Sequence, residues 1–267
     1  MGKTVGVVSL KGGAGKTSVV ASLGSVLSEL GKKVLLIDGN LSSPTLGLHF
    51  NIIEPEKTLH SVLNRLVGPR DAIYECEEGF HILPASIFNK SKVSPLKLKD
   101  KIKGLKRTYD IILIDSSPSL DEETLAVMLA SDEILVVTTP DHPTLSATIK
   151  AIKLAKQRGT PISGIILNKV HNKKFEISLD NVEKTLEIPV LAVIPYDTSI
   201  LKSLSKMKAY PSYKPKSKGS LEYKKLASAL IGQKYPQAKL KDIFKKITPK
   251  KQEINRELFY KRVFEEK

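Results

Sequence analysis

The sequence predicts an α/β fold: a doubly wound, mostly parallel sheet with helices on both faces. Three observations carry that expectation. A β-branched apolar run over residues 4–9 passes through a glycine-rich turn into a helical pattern. Six further apolar runs of strand length then alternate with stretches of helical periodicity. No internal repeat breaks the alternation.

In chain order, the run over 4–9 is short and apolar enough to be a buried strand, and residues 10–15 form the glycine turn. From Lys16 onward Val19, Val20, Leu23, Val26, Leu27 and Leu30 recur at helical spacing, and Gly31 stops the helix. Further strands are expected at 33–38, 80–83, 111–115, 133–138, 162–167 and 190–194. Helical patterns lie at 57–66, 122–129, 144–156, 178–186 and 221–231. In such a sheet ligands bind at the carboxyl ends of the strands, where the glycine turn falls.

The 267 residues can bury one large core. We read one domain over 1–235 and a basic amphipathic tail over 236–267. The tail holds ten Lys/Arg and five Asp/Glu, net +5, without strand patterning. No apolar run reaches about 18 residues, so no membrane-spanning helix is expected. No signal peptide is expected, because the glycine-rich loop comes almost at once. The single cysteine, Cys76, excludes an internal disulfide and a cysteine-built metal site within one chain, which fits a reducing cytoplasm. A net charge of +15 favours an anionic partner, either nucleic acid or an anionic membrane surface. A compositional bias toward lysine is the alternative source of that excess.

Lys11-Gly12-Gly13-Ala14-Gly15-Lys16-Thr17 is the most informative stretch. Its glycines let several backbone N–H groups point into one concavity, and the following helix N-terminus adds positive potential there. Lys16 can then reach the β- and γ-phosphates of a nucleoside triphosphate, the Thr17 hydroxyl can ligate Mg²⁺, and Ser18 closes the nucleotide-binding stretch. The alternative, a glycine turn without a ligand, is hard to reconcile with Gly-Lys-Thr at a strand–helix junction. Asp38 ends the second expected strand, where a carboxylate can hold Mg²⁺ through water. Asp115 follows four apolar residues, which is the Walker B arrangement. Turn-forming caps are the alternative role for both.

The Lys-Gly-Gly-x-Gly-Lys-Thr form, with Leu10 at the usual first glycine, resembles the deviant phosphate loop of the MinD/ParA ATPases, archaeal MinD-like proteins in particular. The resemblance runs from about residue 3 to residue 231. It implies an ATP-dependent homodimer in which Lys11 acts in trans on the partner's ATP; a solvated loop lysine is the plainer reading. A cation inserted late stabilises the charge that spreads over phosphoryl oxygens in the transition state. The family's usual Asp-x-Asp after the second strand is here Asp38-Gly39-Asn40. Asn40 can hydrogen-bond the attacking water but cannot accept a proton or supply negative charge, so slow turnover is expected. By the same resemblance Asn168, Pro195 and Asp197 lie against the adenine base. Asn168-Lys169-Val170-His171 lacks the final Asp of a guanine signature.

Family members use one dimerisation switch for different surfaces. Iron–sulfur carriers and nitrogenase iron proteins need cysteines that this chain lacks. MinD-like members bind membrane through a C-terminal amphipathic helix. Here Leu240, Ile243, Phe244 and Ile247 form an apolar stripe at i, i+3, i+4 and i+7, with lysines on the other side. The stripe can instead dock on the chain's own domain. A second tail helix with Ile254, Leu258, Phe259, Val263 and Phe264 is expected to follow. ParA-like members bind DNA without reading bases. Lys90, Lys92, Lys97, Lys99, Lys101, Lys103, Lys106 and Arg107, together with Lys202, Lys206 and Lys208, form the candidate patch.

The expected protein is therefore a Mg²⁺-dependent switch ATPase, cytoplasmic and peripheral on the inner face of the membrane. It would position a division site or other cargo and answer to a stimulating protein partner. A ParA-like partitioning ATPase on non-specific DNA and a slow or non-hydrolysing ATP-binding scaffold are the alternatives. An amidoligase on the same sheet is a third, without a visible nucleophile to support it.

Overall fold

The computed structural model of the protein describes residues 2–89, 93–233, 235 and 250–265. Its strands are β1 (Lys3–Val8), β2 (Val34–Asp38), β3 (Tyr74–Glu75), β4 (His81–Leu83), β5 (Ile111–Asp115), β6 (Glu133–Thr138), β7 (Ile162–Val170) and β8 (Val190–Pro195). They form one sheet in the order β3-β4-β2-β5-β1-β6-β7-β8. Only the two-residue β3 pairs antiparallel. β1, β2, β5 and β6 are near-continuous Val, Ile and Leu runs without polar alternation, as strands covered on both faces require.

The covering layers are two apolar clusters. One face packs Val19, Leu23 and Leu27 of α1 (Lys16–Glu29) and Tyr223 and Leu226 of α9 (Lys218–Leu230). The other packs Val62 and Leu63 of α2 (Leu59–Leu63), Ile102 of α3 (Leu98–Ile102), Met128 of α4 (Glu122–Ala130), Ile152 of α5 (His142–Gln157) and Val182 of α6 (Leu179–Leu186). The expected doubly wound architecture is what the chain adopts.

Some boundaries differ for local reasons. The helix expected over 57–66 is only α2, because Thr58 caps it and Arg65 turns left-handed at φ 61°. β7 runs to Val170, so Asn168 lies inside the strand rather than at its end. β3, α3, α7 (Ser199–Leu204) and α8 (Tyr210–Tyr213) are too short to show a period in the sequence.

The C-terminal region departs further from expectation. The second tail helix exists as α10 (Lys251–Tyr260), followed by a π-helical turn to Glu265. It packs on the body, yet the face it buries is not the apolar stripe alone. Phe259 is buried together with Gln252 and Arg256, whereas Ile254 and Leu258 stay exposed. The reason is polar. Arg256 donates to Glu222 at 2.9 Å and to the Leu191 carbonyl at 2.8 Å, and Asn255 donates to the Val190 carbonyl at 2.9 Å. α10 thereby clips onto the edge strand β8, so residues 250–265 belong to the packed body. The stripe of Leu240, Ile243, Phe244 and Ile247 lies outside the described residues, as do Lys90 and Lys92. Among the described residues no helix is long and apolar enough to cross a membrane.

The expected lysine patch is divided. Lys106 and Arg107 precede β5, at the rim where strands begin; the Lys106 carbonyl accepts from Gly2 there, and its ammonium pairs with Asp132 at 2.7 Å. Lys202 lies on α7 soon after β8 ends, whereas Lys208 precedes Ala209, whose N–H is held by Glu78 ahead of β4.

Candidate nucleotide-binding site

The site is built at the carboxyl ends of β1, β2 and β5. β1 passes through the loop at residues 9–15 into α1, with Gly13 at φ 75° and Gly15 at φ 93°. Gly15 is required twice over: its backbone is left-handed, and a Cβ there would meet Asn168 Nδ2 at 2.4 Å. At Gly12 and Gly13 an added Cβ would meet nothing, so the loop opens onto free space. Lys16 is buried at the start of α1. Burial lowers its pKa, and the nearby Asp115 charge opposes that shift.

The two carboxylates stand side by side because β2 and β5 pair in register, with Asp38 opposite Asp115. Both are fully buried. Asp38 accepts from the backbone N–H groups of Thr45 (3.0 Å), Leu46 (2.9 Å) and Asn40 (3.3 Å). Burial and the Asp115 charge nevertheless push its pKa well above the usual carboxylate range. Asp115 accepts the Thr17 hydroxyl at 2.6 Å through Oδ2, while its Oδ1 is buried without a partner. Burial raises it to about 6, against the Thr17 bond and the Lys16 charge.

Asn40 lies in the loop that follows β2. Its Nδ2 donates to the Ser43 carbonyl at 2.5 Å, and its Oδ1 is buried without a partner. Glu123 of α4 holds the same loop through the Ser42 N–H at 3.0 Å and the Ser42 hydroxyl at 3.3 Å. Burial raises Glu123 above its ordinary value.

Lys11 stands apart. Its side chain is 44% exposed, and its ammonium donates to Asp141 Oδ1 at 3.2 Å. Asp141 caps α5 by accepting the Thr144 N–H at 2.9 Å. Burial works to raise Asp141, but bonds from Thr139, Thr144 and Lys11 prevail and hold it at about 2. Between the loop and α5 opens a cleft of about 330 Å³, lined among others by Lys11, Gly13, Pro140, His171, Phe175 and Glu176. The sequence analysis gave Asp141 no part in the site.

The residues expected at the base make contacts within the chain. Asn168 Nδ2 donates to the Ala14 carbonyl at 2.7 Å, so the amide supports the phosphate loop from below; only its buried, unpartnered Oδ1 stays available. Asp197 accepts from the Ser199 N–H and the Tyr210 hydroxyl at 2.8 Å and from Lys214 at 3.1 Å. Burial alone would raise its pKa; those bonds lower it instead. Asp197 thus organises α7 and α8. None of Asn168, Pro195 and Asp197 lines the cleft.

Family models cover this whole framework. One described as an AAA domain matches residues 2–162, and one described as the NUBPL iron-transfer P-loop NTPase matches residues 104–231. An uncharacterized ATP-binding protein of Methanocaldococcus jannaschii is 34% identical over 85% of this chain and 87% of its own. The septum site-determining protein MinD of Thermotoga maritima is 34% identical over 75% of this chain and 78% of its own. The crystal structure of the cell division ATPase MinD of Pyrococcus furiosus superposes with a TM-score of 0.81 at 37% identity, covering 85% of this chain and 98% of that one. The chain belongs to the MinD/ParA family of P-loop ATPases. Pyrococcus horikoshii MinD, solved with Mg-ADP, gives the same TM-score of 0.81 at 36% identity over 92% of this chain and all of that one.

The residues present fit such a ligand. The loop is an open cradle of backbone N–H groups behind Gly12 and Gly13, and Asp115 keeps a buried oxygen without a partner beside the Thr17 hydroxyl. Among the described residues no three His, Cys, Asp or Glu group together as ligands. A divalent ion beside Thr17 and Asp115 would take the rest of its shell from phosphate oxygens and water. As a MinD/ParA-type chain with one cysteine, the protein has no cysteine pair of its own for an iron–sulfur cluster.

Proposed function

We propose that this protein is an ATP-driven dimerising switch of the MinD type, in which Lys11 completes the site of a second copy. One observation carries this reading. Lys16, Asp38 and Asp115 are buried, whereas Lys11 sits at the open rim with its ammonium tied, among the described residues, only to Asp141. A lysine so placed can turn outward toward a facing protomer at little cost, because an exposed ion pair contributes only about 0–1 kcal/mol.

In this reading Gly12 to Ser18 hold the triphosphate, with Lys16 on the β- and γ-phosphates. Thr17, Asp38 and Asp115 hold Mg²⁺, which when bound neutralises phosphate charge. Asn168 Oδ1 accepts from the exocyclic amino group of adenine, in line with its buried, unpartnered state. Pro195 and Asp197 have weaker support, since Asp197 is engaged by Ser199, Tyr210 and Lys214. Asn40 fits slow hydrolysis: its amide staples the switch loop to Ser43 and brings no charge to a water. Membrane attachment through Leu240, Ile243, Phe244 and Ile247, a place on the inner face of the membrane, a stimulating partner and a positioning role complete the proposal. The domain division at residue 235 stands within it only as the start of the connection to α10.

Phosphate release measured against protein concentration tests the proposal. Activity per molecule that rises with concentration, and is flat and near zero in Lys11→Ala, supports a lysine acting in trans. Concentration-independent activity that survives Lys11→Ala refutes it.

A further inference from the structure

We infer that the surface built from residues 198–221 is a second contact for an anionic lipid bilayer, carried by the folded body rather than by the C-terminal stripe. The inference rests on the peripheral-membrane reading for its choice of ligand, but on different residues.

The stretch from Thr198 to Leu221 holds six lysines and no Asp or Glu. It forms α7, a left-handed turn at Met207 (φ 53°), α8 and the entry to α9. All six lysines are exposed. Two acidic side chains reach the segment from elsewhere, and both are already engaged. Asp197 takes Lys214, Tyr210 and the Ser199 N–H; Glu78 takes the Ala209 N–H at 2.8 Å and the Ser212 hydroxyl at 2.7 Å. These bonds fix the segment's shape without neutralising it, since only Lys214 gains a counter-charge. Among the described residues Lys202, Lys206, Lys208, Lys216 and Lys218 form no ion pair.

Apolar side chains decide between lipid and nucleic acid. Leu201 is 64% exposed, and Met207 and Tyr213 also project into solvent. Leu201 and Lys202 are adjacent and both exposed, so an apolar and a cationic group share the outer side of α7. A phosphate backbone gains nothing from an exposed Leu and Met. A bilayer interface accepts Leu, Met and Tyr at the level of the headgroups while lysines reach anionic lipid beside them. This surface follows the end of β8, and Asp197 and Glu78 hold its shape through hydrogen bonds within the body.

The test is co-sedimentation of the full-length chain, with ATP and Mg²⁺, on vesicles of phosphatidylglycerol and phosphatidylcholine. Three variants are compared: Lys202→Gln/Lys206→Gln/Lys208→Gln, Leu201→Gln/Met207→Gln, and Leu240→Asp/Phe244→Asp in the stripe. Double-stranded DNA is the parallel ligand, and unchanged melting confirms folding. Each lysine near an anionic surface is worth about fivefold in partitioning, so the triple variant should lose at least about tenfold. The Leu201/Met207 variant should lose vesicle binding and keep any DNA binding. Vesicle binding untouched by either body variant but abolished by the stripe variant overturns the inference and leaves the membrane reading standing. No wild-type binding to vesicles overturns both. Loss of DNA binding alone in the lysine variant overturns the lipid assignment in favour of nucleic acid.

Discussion

The ammonium of Lys11 rests 3.2 Å from Asp141 Oδ1, so the lysine that marks the loop is held within its own protomer by the residue that caps α5. The two jobs of Asp141 are separable. Asp141→Ala removes an N-cap worth about 1 kcal/mol, which lowers the melting temperature by roughly 2–4 °C. Asp141→Asn keeps the cap but drops the charge on Lys11. With both partners well exposed the pair is worth at most about 1 kcal/mol, so this variant should tighten ATP-dependent self-association by up to about fivefold. Melting curves and sedimentation equilibrium read the two effects.

Asp38 and Asp115, paired across β2 and β5, give a pH dependence of defined sign. Both are held above the ordinary carboxylate value by burial, Asp115 at about 6. Folding thus favours their neutral forms, and the associated stability is full below pH about 4 and lost as pH rises through about 6. Asp115→Asn in Mg²⁺-free, nucleotide-free protein should melt about 5 °C above wild type at pH 7.5, with the gap closing near pH 4. A scanning-fluorimetry series across that range checks it, and stabilisation by Mg-ATP should vanish in the same variant.

Asn40→Asp restores the carboxylate that the family usually carries here. A correctly placed base contributes about 10²- to 10⁴-fold, so turnover should rise at least about tenfold if water placement limits the rate. The new charge beside the buried Asp38 should destabilise the nucleotide-free form. Steady-state phosphate release and melting read the trade.

Gly15→Ala drives a methyl group into Asn168 Nδ2 at a backbone angle that L-residues avoid, so nucleotide affinity should fall by about a hundredfold or more. Asn168→Ala leaves the Ala14 carbonyl unsupported and should cost about tenfold. Titration with a fluorescent ATP analogue separates them.

Arg256→Ala strands Glu222 in a buried site, a loss of about 3–5 kcal/mol if α10 belongs to the body. An unchanged denaturation midpoint would return α10 to the status of a loose tail.

The phosphate loop, Asp38, Asp115 and the doubly wound sheet were legible because strand–glycine–helix and strand–Asp are local patterns. Lys11–Asp141 and Asn168–Ala14 join residues more than a hundred positions apart, and no local signal announces such pairs. α10 was expected as a helix, but which of its faces packs was not legible: apolar periodicity cannot foresee that Arg256 will be buried by finding Glu222 and the Leu191 carbonyl. The lysines before β5 and after β8 looked like one patch because sequence carries no record of where in the fold such distant segments lie.

The most direct test of the account is molar mass by light scattering, with Mg-ATP or Mg-ADP, for wild type and Lys11→Ala. The account predicts a doubled mass for wild type only with ATP, and a monomer for Lys11→Ala that still binds ATP. A wild-type monomer saturated with ATP, or a Lys11→Ala dimer indistinguishable from wild type, would contradict it.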